Sequence, residues 1–158
     1  MALFTGHIVN KLDRKGRISV PASFRATLSG QSFHGIAAYP APDGAKVIEG
    51  SGISLLEKLS DRFSNANPFS PEFRNAKLAL FSSIDQLSFD GEGRVLLPPR
   101  LIEWANLSDV AAFVGLGDTF QIWEPNAFEL ARKIAIERAH EELSTLQLPP
   151  ANKNGDVP

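Results

Sequence analysis

Residues 12–22 read L-D-R-K-G-R-I-S-V-P-A and residues 89–99 read F-D-G-E-G-R-V-L-L-P-P. At a constant offset of 77, Asp13, Gly16, Arg17 and Pro21 fall on Asp90, Gly93, Arg94 and Pro98. Ile18 falls on Val95 and Val20 on Leu97 in the same register. Downstream, Gly35-Ile36-Ala37-Ala38-Tyr39 has a counterpart in Ala111-Ala112-Phe113-Val114-Gly115, and Lys46-Val47-Ile48-Glu49 in Thr119-Phe120-Gln121-Ile122-Trp123. The chain therefore repeats one supersecondary unit of about 50 residues, with helical connections added.

Each copy predicts a hairpin, a short helix and a second hairpin. Residues 7–12 alternate as a strand does, and Asp13-Arg14-Lys15-Gly16 has the chemistry of a short hairpin loop with a G1 bulge. Arg17 to Val20 is the expected return strand, and Pro21 opens a helix over 22–28 because its missing N–H is an orphan there anyway. Gly30 ends that helix, and the second hairpin turns through Pro40–Gly44. In the second copy, Asp90-Gly91-Glu92-Gly93 is the turn, 94–97 the strand and Pro98-Pro99 the start of a helix to about Ala105. Strands over 110–114 and 119–123 follow, around the turn Gly115–Asp118.

A lone hairpin is marginal in water. Two such units can intertwine and cover each other's apolar faces and edges, so the expected fold class is α+β, mainly β, a half-barrel duplicated in one chain. A helix follows each copy: Ile53, Leu56, Leu59 and Phe63 form one apolar stripe. Pro125 opens a longer helix with Phe128, Ala131, Ile134, Ala135, Ala139 and Leu143 on its stripe. A loop over 64–73 and a short helix over 72–81 join the copies. The expected organisation is a first unit over 5–52, a helical connection over 53–82 and a second unit over 83–124. A C-terminal helix over 125–147 and a disordered, Pro-rich tail over 148–158 complete it.

Composition excludes much chemistry. The 158 residues contain no Cys, so thiol catalysis, disulfides and Cys-based zinc sites are out. No signal-peptide pattern or membrane-length apolar run occurs, and an intracellular soluble protein is expected. His7, His34 and His140 lie far apart without metal-ligand spacing, Gly115-Leu116-Gly117-Asp118 is a turn and not a phosphate loop, and Trp104 and Trp123 are expected in the core. The formal charge of −2 argues against a polyanion partner until it is divided by copy. Residues 7–25 hold Lys11, Arg14, Lys15, Arg17 and Arg25 against Asp13 alone, a net of +4. Residues 85–103 hold Arg94 and Arg100 against Asp85, Asp90, Glu92 and Glu103, a net of −2.

The segments L-D-R-K-G-R-I-S-V-P-A-S-F-R, F-D-G-E-G-R-V-L-L-P and F-V-G-L-G-D-T-F-Q-I-W-E together resemble the MraZ family, over roughly residues 1–145. The resemblance implies two tandem AbrB-like units forming a pseudo-two-fold swapped-hairpin barrel with flanking helices. It implies a cytoplasmic, nucleoid-associated transcription factor of the division and cell-wall gene cluster. Such a protein assembles into a ring of identical chains on short direct repeats of promoter DNA, typically its own. The family's Asp-x-x-x-Arg pattern lands on Asp13/Arg17 and Asp90/Arg94. Arg14, Lys15, Arg17, Lys11 and Arg94 are then the expected DNA-binding residues, and Asp13, Gly16, Asp90 and Gly93 shape the turns. A tip bearing Arg14, Lys15 and Arg17 suits a β-ribbon entering a major groove. The second motif departs from the first by carrying Gly91 and Glu92 where Arg14 and Lys15 stand. The Asp–Arg pairs also suit a plain ion pair bracing each turn, and the two roles are compatible. An antitoxin-like partner binder on the same fold is the alternative, but the tail Pro149–Pro158 offers it almost no large apolar anchor. No acid, base and nucleophile converge and no cofactor motif occurs, so neither an enzyme, a cofactor nor a small-molecule substrate is expected.

Overall fold

The computed structural model describes residues 2–65, 71 and 73–146, and the chain divides into two compact units, Met1–Pro125 and Asn126–Pro158. The described elements run β1 (His7–Lys11), β2 (Arg17–Ser19), α1 (Ala22–Thr27), β3 (Gly35–Pro40), β4 (Ile48–Ser51) and α2 (Ile53–Asn65). After α3 (Arg74–Phe81) come β5 (Asp85–Ser88), β6 (Arg94–Leu96), α4 (Pro99–Trp104), β7 (Val110–Gly115), β8 (Phe120–Trp123) and α5 (Pro125–Thr145). The architecture is α+β and mainly antiparallel sheet. Six strands pair in the order β1-β7-β8-β4-β3-β5, while β2 and β6 form a separate two-stranded ribbon. Backbone pairing leaves the larger sheet open at β1 and β5 among the described residues.

The pairing partners lie mostly in the other copy. Only β3–β4 and β7–β8 are local hairpins; β1 pairs with β7, β5 with β3, β4 with β8 and β2 with β6. Exchanging the copies maps this set of pairings onto itself, and Ile18 stands directly opposite Val95, its own counterpart. The first hairpin expected from the sequence is thus not a two-stranded ladder. Across its turn a single bridge joins Leu12 to Ile18, and the Asp13 N–H donates to the Arg17 carbonyl at 3.0 Å. Beyond that point β1 leaves for the large sheet and β2 for the ribbon. The physical reason is that an isolated hairpin buries too little, whereas each strand gains a full ladder by pairing elsewhere.

Proline sets the helix starts as the sequence requires. Pro21 and Pro98 occupy the N-cap positions of α1 and α4 with extended backbones, and Pro99 takes the first helical position of α4. These helices cover the core from equivalent positions: Phe24 and Leu101, Val20 and Leu97, and Ile18 and Val95 are all buried. Phe4 and Phe24 from the first copy stack with Phe113 and Phe120 from the second, at centroid distances of 5.0–6.2 Å. The two copies therefore share one core.

On the outer side of the sheet, Glu49 faces Gln121 in the β4–β8 ladder. Gln121 Nε2 donates to Glu49 Oε1 at 2.8 Å, and Trp123 Nε1 donates to Gln121 Oε1 at 2.8 Å. Burial pushes the Glu49 carboxyl above its ordinary range. Trp104 and Trp123 are half-buried rather than core residues. The Trp104 indole N–H is shared by the Ala45 and Val47 carbonyls, and Lys46 Nζ lies 3.8 Å from the ring centroid.

The α2 stripe is covered as expected at Leu56, with Phe63 packed near Phe73 and Phe81. On α5, Phe128 is buried, but Ile134 and Leu143 are 42% and 64% exposed and Ala135 is exposed. The apolar stripe expected there is therefore only partly covered within one chain. The expected tail over 148–158 and most of the 64–73 loop lie outside the described residues.

Candidate nucleic-acid interface

Both turns are built by one carboxylate each. Asp13 Oδ1 accepts the backbone N–H groups of Lys15 and Arg17 at 2.9 Å, and Oδ2 accepts Arg17 Nε at 2.7 Å. Asp90 repeats the pattern with Glu92, Arg94 and Arg94 Nε, at 2.9, 3.0 and 2.9 Å. An Asp at the first turn position reaches back-facing N–H groups two and four residues on, which is why this residue type recurs. The backbone N–H groups of Arg17 and Arg94 are the chief reason these carboxyls are held below their usual range, with the guanidiniums adding to it. Arg94 is in turn held more firmly protonated by its hydrogen bond to Asp90.

Gly16 closes the first turn with its N–H on the Asp13 carbonyl at 3.0 Å, and its φ of +89° lies in the left-handed region. A Cβ at Gly16 would also meet the Leu97 carbonyl oxygen at 3.0 Å. Gly16→Ala is expected to destabilise the fold by about 1–2 kcal/mol from the backbone conformation alone. Chemical denaturation checks this, and a midpoint equal to that of the native chain would contradict it.

The arginines meet on the ribbon. Register places Arg17 opposite Leu96 and Arg94 opposite Ser19, with Ile18 and Val95 between them on the buried face. Strand alternation puts Arg17, Ser19, Arg94 and Leu96 together on the other face, where Ser19 and Leu96 are exposed and the arginines half-buried. The expected ribbon made of one hairpin tip is thus a ribbon with one strand from each copy and an Asp-braced turn at each end. The brace occupies Nε of Arg17 and leaves its terminal nitrogens without a partner among the described residues. Arg94 Nη2 lies 3.8 Å from Glu92 Oε1, so its terminal edge is shared.

Arg14 and Lys15 stand exposed at the first tip, and Lys11 stands exposed at the end of β1 opposite Val110. Arg100 does not join this group, because it pairs with Asp85 and the Ser83 carbonyl. Arg25 belongs by sequence to the first copy but lies in space at the second turn. Its guanidinium occupies the position where a Cβ on Gly93 would fall, within 2.7–2.8 Å, and its Nε donates to the Val20 carbonyl at 3.1 Å. The +4 counted along residues 7–25 is therefore divided between the two turns. The only sequence signal for this is a mismatch, since the counterpart of Arg25 at offset 77 is apolar Ile102.

Residues 80–147 match the family model described as "MraZ protein, putative antitoxin-like". Among curated relatives, "Transcriptional regulator MraZ" of Rickettsia akari (strain Hartford) is 42% identical over 147 residues, covering 93% of this chain and 98% of the relative. "Transcriptional regulator MraZ" of Rickettsia bellii (strain OSU 85-389) is 44% identical over 140 residues, covering 89% and 93% respectively.

Proposed function

The chain belongs to the MraZ family, and we propose that it is a non-enzymatic transcriptional regulator that reads duplex DNA with the β2–β6 ribbon. The observation that carries this is the pair Arg17 and Arg94 on one exposed ribbon face, each with Nε anchored by its own Asp. Arg17 and Arg94 are diagonal neighbours across the ribbon, and such positions are separated by about 7–8 Å, inside the roughly 12 Å width of a major groove. An arginine held at Nε presents its terminal nitrogens as a fixed fork, the geometry that matches guanine O6 and N7 or a phosphate. Arg14, Lys15 and Lys11 add phosphate attraction around the first turn. We further propose the swapped-hairpin barrel as the fold of the two copies, for which the exchange-symmetric pairings are the support.

One ribbon covers few base pairs and binds weakly. A ring of identical chains that sets several ribbons against short direct repeats gains avidity, which makes assembly part of the mechanism. The DNA proposed is the promoter upstream of its own gene, at the division and cell-wall cluster, and the site of action is the cytoplasm at the nucleoid. No described helix is long and apolar enough to cross a membrane. Light scattering is expected to give several times the 17.2 kDa chain mass. Titration is expected to show tighter binding to the upstream promoter than to a scrambled duplex. A monomer indifferent to both would overturn the proposal. The family model's antitoxin-like description favours the second reading, a partner binder; capture of a protein partner by a chain with no preference between the duplexes would support it.

A further inference from the structure

We propose that Arg25 is the phosphate-contacting cation of the second turn, supplied to it by the other copy. The assignment rests on the ribbon reading DNA as above. At the first turn Arg14 and Lys15 flank the Asp–Arg brace; at the second, Gly91 and Glu92 take their places. Arg94 is committed there to Asp90 at 2.9 Å and lies 3.8 Å from Glu92, so the second turn's own residues carry a net −1. A turn of that charge set against a phosphate backbone would be repelled.

The crossed packing of the helices repairs the deficit. Arg25 of α1 reaches the second turn and lies over Gly93, where the absence of a side chain makes room for the guanidinium. At the first turn the equivalent place over Gly16 is taken by Ile102 of α4, whose Cδ1 would lie 3.5 Å from a Cβ there. One turn thus carries its own cations above an apolar neighbour, and the other receives a cation from the helix packed on it. Arg25 is exposed, makes no ion pair among the described residues, and spends only Nε, on the Val20 carbonyl. Its remaining N–H groups are available to an acceptor. It projects from α1 onto the turn glycine and is not a strand residue of the ribbon, which suits a backbone phosphate better than a base edge.

The test uses the full chain with its promoter-repeat duplex and a scrambled duplex, each titrated across a salt series. Arg25→Gln is expected to weaken both duplexes by a similar factor. It should also flatten the slope of log affinity against log salt by about 0.9 for each phosphate no longer neutralised. Arg25→Lys should restore most of the affinity, since a point charge suffices for phosphate. Glu92→Gln, at a side chain 75% exposed and so harmless to the fold, should tighten both duplexes. An unchanged slope in Arg25→Gln, or a loss confined to the specific duplex, overturns the assignment. Unchanged affinity in Glu92→Gln overturns it independently, by placing the second turn away from DNA. Arg17→Ala run in parallel separates the two levels. If it is also without effect, or if the native chain binds neither duplex, the DNA reading itself falls and this assignment with it.

Discussion

Arg17→Ala is expected to reduce binding to the promoter repeats below detection in a gel-shift titration, with melting temperature and oligomer mass unchanged. The turn survives the substitution, because Asp13 Oδ1 still accepts the backbone N–H groups of residues 15 and 17. What disappears is a guanidinium whose terminal edge is free of protein partners among the described residues and whose Nε is fixed at 2.7 Å. A good bidentate pairing with a base discriminates by about 1–3 kcal/mol. Several subunits engaged on one repeat array lose that amount together, so the effect multiplies. Arg17→Lys separates charge from geometry: the ammonium should keep weak, sequence-indifferent binding and lose the preference for the repeats. Arg94→Ala should cost less, because Glu92 already competes for its terminal nitrogens. Undiminished affinity in Arg17→Ala would remove the ribbon from the DNA interface.

The parts of this architecture that were legible in the sequence are those set by local chemistry. Asp13, Gly16 and Arg17 act on backbone groups within four residues, so both turns could be read from spacing alone. Pro21 and Pro98 mark helix starts for an equally local reason. Strand partners are set by which long-range ladder buries more surface, and no spacing rule encodes that. A local hairpin was therefore the natural expectation where β1 instead joins β7. Arg25 was hidden for the same reason: its place over Gly93 is created by the crossing of the copies, 68 positions away in the chain. On α5 the periodicity of Ile134 and Leu143 identified a helix face, but periodicity does not say whether that face is covered within one chain.

Residues 1–65 alone are expected to remain unfolded at neutral pH, and to fold when mixed with residues 71–146. Within the first fragment only β3 and β4 find each other; β1 and β2 lose β7 and β6, and β4 also loses β8. Phe4 and Phe24 lose Phe113 and Phe120, the rings that complete their cluster. Two copies of the fragment could in principle replace the missing half with each other. Ala38 faces both Gly50 and Asp85, while Phe113 faces both Ile122 and Ile8, the offset-77 counterpart of Asp85. The pairing thus sets Ala38 on Phe113, one residue from the match with Val114 that the sequence alignment predicts, and makes Gly50 the counterpart of Ile122 and Glu49 that of Gln121. In a symmetric pair of fragments the Glu49–Gln121 hydrogen bond becomes Glu49 against Glu49, two carboxylates directly opposed on a sheet, which is destabilising. Each carboxyl is already pushed upward by burial, and a facing carboxylate raises it further. The paired state thus binds more protons than the free fragment, so pairing strengthens as pH falls and weakens as pH rises. Glu49→Gln should allow the fragment to pair at neutral pH, seen as a doubled mass in light scattering together with recovered circular dichroism. A fragment that folds as a monomer at neutral pH would show that each copy closes its own core.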